Sequence, residues 1–242
     1  MSRCLHKGYP LAAMLLLATD LALPRPAAGQ LDGTAAPRVG VGDAVAVAAA
    51  ALLYVTPRAL DWGPAPSTCA PCDRASVPSF DRWAITNSRP GWSTASSVGV
   101  LGLSGLVAFD LSRRPAGAVH VAAAAESGAW AAAAAELIKA IAGRKRPVLF
   151  TEVAPGAVDL PESRRSFPSG HTAAAFAVMM SYSLSRRTLD PGDSRATAWI
   201  ALGGAVAIGA MRIAAGKHFP SDVLAGAVVG AGSAVLVHAI RF

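Results

Sequence analysis

The sequence predicts an all-α protein, an integral membrane bundle of five or six transmembrane helices. Hydrophobic residues make up 53% of the chain and charged residues only 15%, well below the roughly 25% charged residues of a soluble domain. Long apolar stretches rich in alanine and glycine recur along the 242 residues. They lack the β-branched runs bounded by turn residues that predict strands.

Six apolar stretches are the predicted helices. They cover residues 39–55, 96–111, 116–138, 171–185, 196–211 and 223–240. Several are shorter than the ~20 residues that a spanning helix needs, and the first contains Asp43. The last carries His238 as its only strongly polar residue and is the strongest span. A soluble bundle of alanine-rich helices is the alternative to residence in a membrane.

Ionisable and small residues inside these stretches predict packing roles. Asp110, His120, Glu126, Glu136 and His238 match no motif described below, so we expect them at helix ends or helix contacts. Gly226 and Gly230 have the Gly-x-x-x-Gly spacing that lets membrane helices approach closely. In a glycine-rich chain this spacing also arises by chance.

Residues 1–29 have the features of a signal peptide. Arg3 and Lys7 precede an apolar run, and Ala27-Ala28-Gly29 offers small residues at a cleavage site. Asp20 interrupts the end of the run. An uncleaved N-terminal anchor, or a tail lying on the membrane surface, is therefore the alternative.

Cys69 and Cys72 form a pair in a polar, proline-rich loop. Two cysteines are too few for a zinc site, and the surroundings are unlike those of a redox motif. We expect a local disulfide in an oxidising compartment, with free thiols as the alternative. Cys4 would leave with a cleaved signal peptide.

The net charge of +7 favours an anionic phosphate or lipid headgroup as the partner. The basic residues occur in pairs between apolar stretches and form no basic face interleaved with aromatic residues. The sequence therefore predicts a membrane bilayer and a lipid phosphate as partners and no nucleic acid. It does not indicate an oligomeric state.

Three polar clusters lie where apolar stretches end. In the first, Lys139 is followed by Arg146-Pro147, so that one cation lies on a helix and the other in the loop while both reach one anion. Taken alone, the cluster also fits a lysine extending toward the membrane surface and arginines at a helix end.

The second cluster is Pro168-Ser169-Gly170-His171, immediately before an apolar stretch. Free backbone N–H groups at a helix start form an anion site, Ser169 adds a hydroxyl, and His171 titrates near neutral pH. An ordinary helix cap with a nearby histidine is the alternative.

The third cluster is Arg212, His218 and Asp222. The four-residue spacing lets the Asp222 carboxylate accept a ring N–H of His218, which leaves the other ring nitrogen free to attack. A helix cap formed by Asp222 is the alternative.

Together these clusters resemble the three signature motifs of the phosphatidic acid phosphatase type 2 superfamily. Those motifs are Lys-x6-Arg-Pro, Pro-Ser-Gly-His and Ser-Arg-x5-His-x3-Asp, and they match here from Lys139 to Asp222. Met211 replaces the leading serine of the third motif, which leaves every charged position intact. Residues 30–242 would then be one phosphatase domain.

The resemblance implies a role for each motif residue. His218 would be the nucleophile that forms a phosphohistidine, Asp222 its orienting partner and His171 the general acid. The phosphoryl oxygens would be bound by Lys139, Arg146, Ser169, the backbone N–H of Gly170 and Arg212. With three cations on the phosphoryl group, we expect neither a metal ion nor another cofactor.

We therefore expect a lipid phosphate phosphatase that acts on a phosphomonoester or a pyrophosphate. Undecaprenyl pyrophosphate, phosphatidic acid and phosphatidylglycerol phosphate are candidate substrates that the sequence does not rank. A soluble secreted acid phosphatase of the same superfamily, a vanadate-dependent haloperoxidase and a non-catalytic membrane scaffold are the alternatives.

Because an even number of predicted spans separates the polar loops, these loops lie on the same membrane face. The cysteine loop, the long loop at residues 143–167 and the connection after Met211 are each separated by two predicted spans. An oxidised cysteine pair puts that face outside the cytoplasm, at the cell membrane, the inner membrane of a bacterium. Residues 39–55 must then span if the N-terminus is retained in the cytoplasm, and must not span if a signal peptide is cleaved.

Overall fold

A computed structural model describes residues 37–63, 65, 67–86 and 89–242. The predicted signal peptide or anchor at residues 1–29 lies outside this part of the chain.

The described residues form six long helices and one short one, and they contain no strand. The helices are α1 (Val41–Ala59), α2 (Ser79–Arg82), α3 (Pro90–Ser112), α4 (Gly117–Ala142), α5 (Gly170–Leu189), α6 (Ser194–Ala214) and α7 (Pro220–Arg241). The all-α prediction is confirmed, and each of the six apolar stretches corresponds to one long helix. The helices extend beyond those stretches at one or both ends, although α1 and α4 begin one or two residues inside them.

Helix α5 lies at the centre of the bundle and contacts α3, α4, α6 and α7. Among the described residues, four helices, α1, α3, α6 and α7, are long and apolar enough to cross a membrane. Helices α4 and α5 carry more polar side chains, most of which are buried between helices. Polarity is thus concentrated inside the bundle.

Two glycines bring α7 against α5. A Cβ atom at Gly226 would lie 2.6 Å from the carbonyl oxygen of Ser169, and one at Gly230 would collide with the carbonyl oxygen of Ala173. Only glycine permits this approach at both positions, so the Gly-x-x-x-Gly spacing is a packing feature. The contact sets the start of α7 beside the start of α5.

The six long helices alternate in direction and therefore share two ends. At one end, which we call the loop end, the last turns of α1, α4 and α6 meet the first turns of α3, α5 and α7. Contacts between Arg58 and Glu136, and between Arg212 and Ser93, join these turns. At the other end, the distal end, Asp43 near the start of α1 pairs with Arg241 near the end of α7.

A small apolar cluster covers the loop end. Cys72, Val77, Leu149, Phe150 and Phe219 are buried against one another. Cys72 and Cys69 form a disulfide in the structure, and the Cys72 amide donates to the Leu149 carbonyl over 2.8 Å. The cysteine loop thus packs onto the long loop between α4 and α5.

Candidate active site

His218 lies between α6 and α7 and is 1% exposed. Its Nδ1 atom is 2.7 Å from the carbonyl oxygen of Ser166. Because a carbonyl oxygen only accepts hydrogen bonds, Nδ1 carries the proton and Nε2 carries the lone pair. Burial lowers the pKa of His218 to about 3, the positive charges of Arg146 and Arg212 act in the same direction, and Asp222 opposes them. The imidazole is therefore neutral near pH 7, as a nucleophile requires.

Asp222 lies too far from His218 for the direct hydrogen bond that the sequence predicted. The nearest carboxylate oxygen is 3.7 Å from Nδ1 of His218. That oxygen accepts from the Ser166 hydroxyl over 2.6 Å and from the Phe219 amide over 2.8 Å. Asp222 thus both caps α7 and fixes Ser166, whose carbonyl holds the histidine.

Arg144 and Asp81 extend the hydrogen-bond network of Asp222, and the motifs did not indicate either of them. Arg144 donates to Asp222 over 2.5 Å and to Asp81 over 2.7 Å. Asp81 lies on α2 and also accepts from the Ser221 amide over 2.9 Å. Since the partners are 63 to 140 residues apart in sequence, no local pattern predicts them.

His171 lies in the first turn of α5 and is half-buried. Its Nε2 atom is 2.9 Å from the hydroxyl oxygen of Ser97, on α3. The second histidine is thus held by a helix that contains none of the motif residues.

Lys139 lies near the end of α4 and points toward the start of α5. Its Nζ atom lies 3.0 Å from the position that a Cβ atom would take at Gly170. Any larger residue at Gly170 would crowd the ammonium group. Glu136, one turn earlier, accepts a hydrogen bond from Lys139 over 2.5 Å.

Glu136 is 1% exposed and lies among three cations. The sequence placed it at a helix end or helix contact but did not predict these ion pairs. Besides Lys139, it lies 2.9 Å from Arg58 and 3.3 Å from Arg165. One carboxylate among three cations leaves net positive charge. The three-residue spacing from Lys139, one helical turn, was the available signal for this contact.

Arg146 follows α4 in the long loop. The Arg146 amide donates to the Ser163 carbonyl over 2.8 Å, which closes the loop, and its guanidinium donates to Glu162 over 3.0 Å. Its Nε atom is buried without a hydrogen-bond partner in the described part of the chain. A buried donor without a partner is costly, and a bound anion would satisfy it.

Arg212 is 5% exposed in the last turn of α6. It donates to the hydroxyls of Ser93 over 3.2 Å and Ser96 over 3.1 Å. Its Nε atom, like that of Arg146, is buried without a partner among the described residues. Met211, at the position of the missing motif serine, packs against the apolar core between the helices.

Ser169 precedes α5 and is fully buried. Its hydroxyl oxygen accepts from Thr172 over 2.9 Å, and its amide donates to the Asp222 carbonyl over 2.9 Å. The next amide, that of Gly170, belongs to the first turn of α5, where N–H groups lack helical partners. This turn therefore offers backbone donors beside Lys139.

The other ionisable residues of the apolar stretches lie toward the distal end. Glu126 pairs with Arg241 over 3.2 Å, and Asp110 pairs with Arg114 and Arg186 over 3.1 and 3.2 Å. Within the described ranges, no three His, Cys, Asp or Glu side chains are grouped as a metal site would need.

The fold and the candidate site together define a helical bundle in which buried cations lie near two histidines, His171 and His218. A family model described as the PAP2 superfamily matches residues 120–242, just over half of the chain, and this range contains all three motifs. The chain belongs to the PAP2 superfamily, whose members are phosphatases. No curated protein and no solved structure matches it.

Proposed function

We propose that the protein is a lipid phosphate phosphatase that hydrolyses a phosphomonoester or pyrophosphate of a membrane lipid through a phosphohistidine on His218. The observation that carries the proposal is the neutral, buried His218 with its Nε2 lone pair available, near the guanidinium donors of Arg146 and Arg212. A dianionic phosphoryl group supplies both the electrophile for the histidine and the acceptors for those donors.

In the first step, Nε2 of His218 attacks phosphorus while the bond to the leaving oxygen breaks. Lys139, Arg146, Arg212 and the Gly170 amide bind the equatorial oxygens, where charge accumulates. His171 gives a proton to the leaving oxygen. In the second step, water loses a proton to His171 and attacks the phosphohistidine, which releases phosphate and restores His218.

A membrane substrate is supported by the surface of the outer helices. Leu52 on α1 is 69% exposed, Leu101 on α3 is 74% exposed and Ile200 on α6 is 75% exposed. Soluble proteins rarely expose contiguous apolar faces of this kind. The same surface disfavours the soluble secreted alternative. Sedimentation with membranes after a high-salt wash tests this choice, and release into the soluble fraction would reject the membrane assignment.

We further propose that the loop end faces outside the cytoplasm, because the disulfide lies on it. Helix α1 runs from the distal end to the loop end like α4 and α6, which supports a spanning α1 and a cytoplasmic N-terminus. In a background without native cysteines, Asp159→Cys should react in intact cells with an impermeant maleimide, and Arg195→Cys should not. The reverse labelling would place the site in the cytoplasm.

The experiment that tests the function is phosphate release from a panel of lipid phosphates by the purified protein, with EDTA or vanadate added. We expect turnover of at least one lipid to survive EDTA, because protein cations bind the phosphoryl group. Vanadate should inhibit, since it resembles the transition state. Loss of turnover on chelation, restored by a divalent metal, would contradict the mechanism. Halide oxidation by the vanadate-loaded protein would favour the haloperoxidase alternative.

A further inference from the structure

Three serines in the first two turns of α3 face the candidate active site. Ser93 and Ser96 accept from Arg212, and Ser97 contacts His171. All three precede residue 120, where the family match begins. Helix α3 thus supplies polar contacts that the three motifs do not include.

The hydrogen bonds of Ser97 define which nitrogen of His171 is protonated. The Ser97 hydroxyl has one proton, which it donates to the carbonyl oxygen of Ser93 over 3.2 Å, four residues earlier. Toward His171, 2.9 Å away, its oxygen therefore accepts. With Nε2 of His171 as the donor, both contacts of the Ser97 hydroxyl are satisfied as hydrogen bonds.

We propose that Ser97 is a positioning residue for His171. It holds the Nε2–H, so that the proton given to the leaving group comes from Nδ1. This inference rests on the proposed function. Once a bound phosphate dianion offsets the nearby charges of Lys139, Arg146 and Arg212, His171 takes up a second proton, on Nδ1. As the bond from phosphorus to the leaving oxygen breaks, that oxygen takes the Nδ1 proton, and His171 is left neutral with its remaining proton on Nε2. That tautomer is the one that Ser97 binds.

The two histidines are then held by opposite nitrogens. The Ser166 carbonyl accepts from Nδ1 of His218, which frees Nε2 for attack on phosphorus. Ser97 accepts from Nε2 of His171, which frees Nδ1 for proton transfer. Each acceptor fixes a ring orientation and a tautomer suited to one chemical role.

Ser96 provides a matched control on the same helix. It is adjacent in sequence, donates its own proton to the same Ser93 carbonyl over 2.8 Å, and accepts from Arg212. Removing the Ser96 hydroxyl weakens the positioning of Arg212, a phosphate-binding cation. The resulting loss of rate should not depend on the leaving group. Removing the Ser97 hydroxyl impairs proton delivery. The resulting loss of rate should depend on the leaving group.

The test compares Ser97→Ala, Ser97→Thr and Ser96→Ala on an alkyl lipid phosphate and on p-nitrophenyl phosphate. We expect Ser97→Ala to lower kcat on the alkyl substrate by about tenfold to 100-fold, part of the effect of general acid catalysis, with little change on the aryl substrate. Ser97→Thr should keep the wild-type ratio of the two rates. Ser96→Ala should lower both rates equally. Retained aryl activity shows that the two Ser97 variants are folded.

Equal losses on the two substrates with Ser97→Ala would overturn the inference, as would failure of Ser97→Thr to restore the ratio. In His171→Ala, the added Ser97→Ala change should have no further effect on that ratio, because Ser97 acts through His171. A wild-type protein that hydrolyses neither substrate would instead reject the proposed function, so the two failures are distinct.

Discussion

The loop end and the distal end of the bundle both bury arginines and histidines, but they give them different partners. At the distal end, Arg186 lies 3.2 Å from Asp110 and 3.3 Å from Asp190, and Arg241 pairs with both Asp43 and Glu126. Each of these two arginines lies beside two carboxylates. The charges are balanced within the protein.

At the loop end, Arg144 also has two carboxylate partners, but the two motif arginines do not. Arg212 has neutral serine hydroxyls as its hydrogen-bond partners among the described residues, and Arg146 pairs with Glu162, whose side chain is 54% exposed. A buried cation without a carboxylate is costly. A bound phosphate anion would offset this cost. Arg212, whose partners are neutral hydroxyls, is therefore the cation best placed to accept an added anion, whereas Arg186 and Arg241 already have carboxylate partners.

The largest difference between the ends is expected for their histidines. His218→Ala should lower turnover by on the order of 10⁴-fold or more and abolish the phosphoenzyme, because the nucleophile is removed. His238→Ala should leave kcat unchanged, since His238 contacts Ser181 at 2.8 Å, away from the site. Turnover and acid-quenched trapping of labelled phosphate measure both. A phosphoenzyme that persists in His218→Ala would place the nucleophile elsewhere.

The arginines give the next contrast. Arg212→Gln should lower kcat/KM by about 10²- to 10³-fold and weaken vanadate inhibition, because one charge on the transition state is lost. Arg186→Gln should leave kcat/KM unchanged but lower the stability in detergent by about 1–3 kcal/mol, because Asp110 and Asp190 lose a partner. Similar kinetic losses in the two variants would show that the distinction between the ends is wrong.

The sequence predicted the fold well because hydropathy reports directly on these helices. All six long helices coincide with apolar stretches, and the charged residues of the motifs lie at the predicted helix ends. Alanine-rich composition did not separate the outer helices from α4 and α5. That distinction depends on which faces pack together, as at Gly226 and Gly230.

The site was predictable only in part. The motifs identified Lys139, Arg146 and His218 because their spacing within a short segment is characteristic. The partners that hold the histidines were not predictable, since Ser97 lies 74 residues from His171 and Ser166 acts through its backbone carbonyl. A backbone acceptor has no sequence signature, and Asp222 was therefore assigned the contact that Ser166 makes.

The smallest expected effect is a dependence of stability on pH that arises at the loop end. An unfolded histidine has a pKa of about 6.5, whereas burial lowers the pKa of His218 to about 3 in the folded protein. As the pH falls below about 6.5, the unfolded chain binds a proton that folded His218 does not, so stability present above this pH is progressively lost. His218→Gln removes the group and keeps the other titrating residues. Between pH 7 and pH 5, the wild-type Tm in detergent should therefore fall further than that of His218→Gln. Equal decreases would mean that His218 is not held neutral by burial.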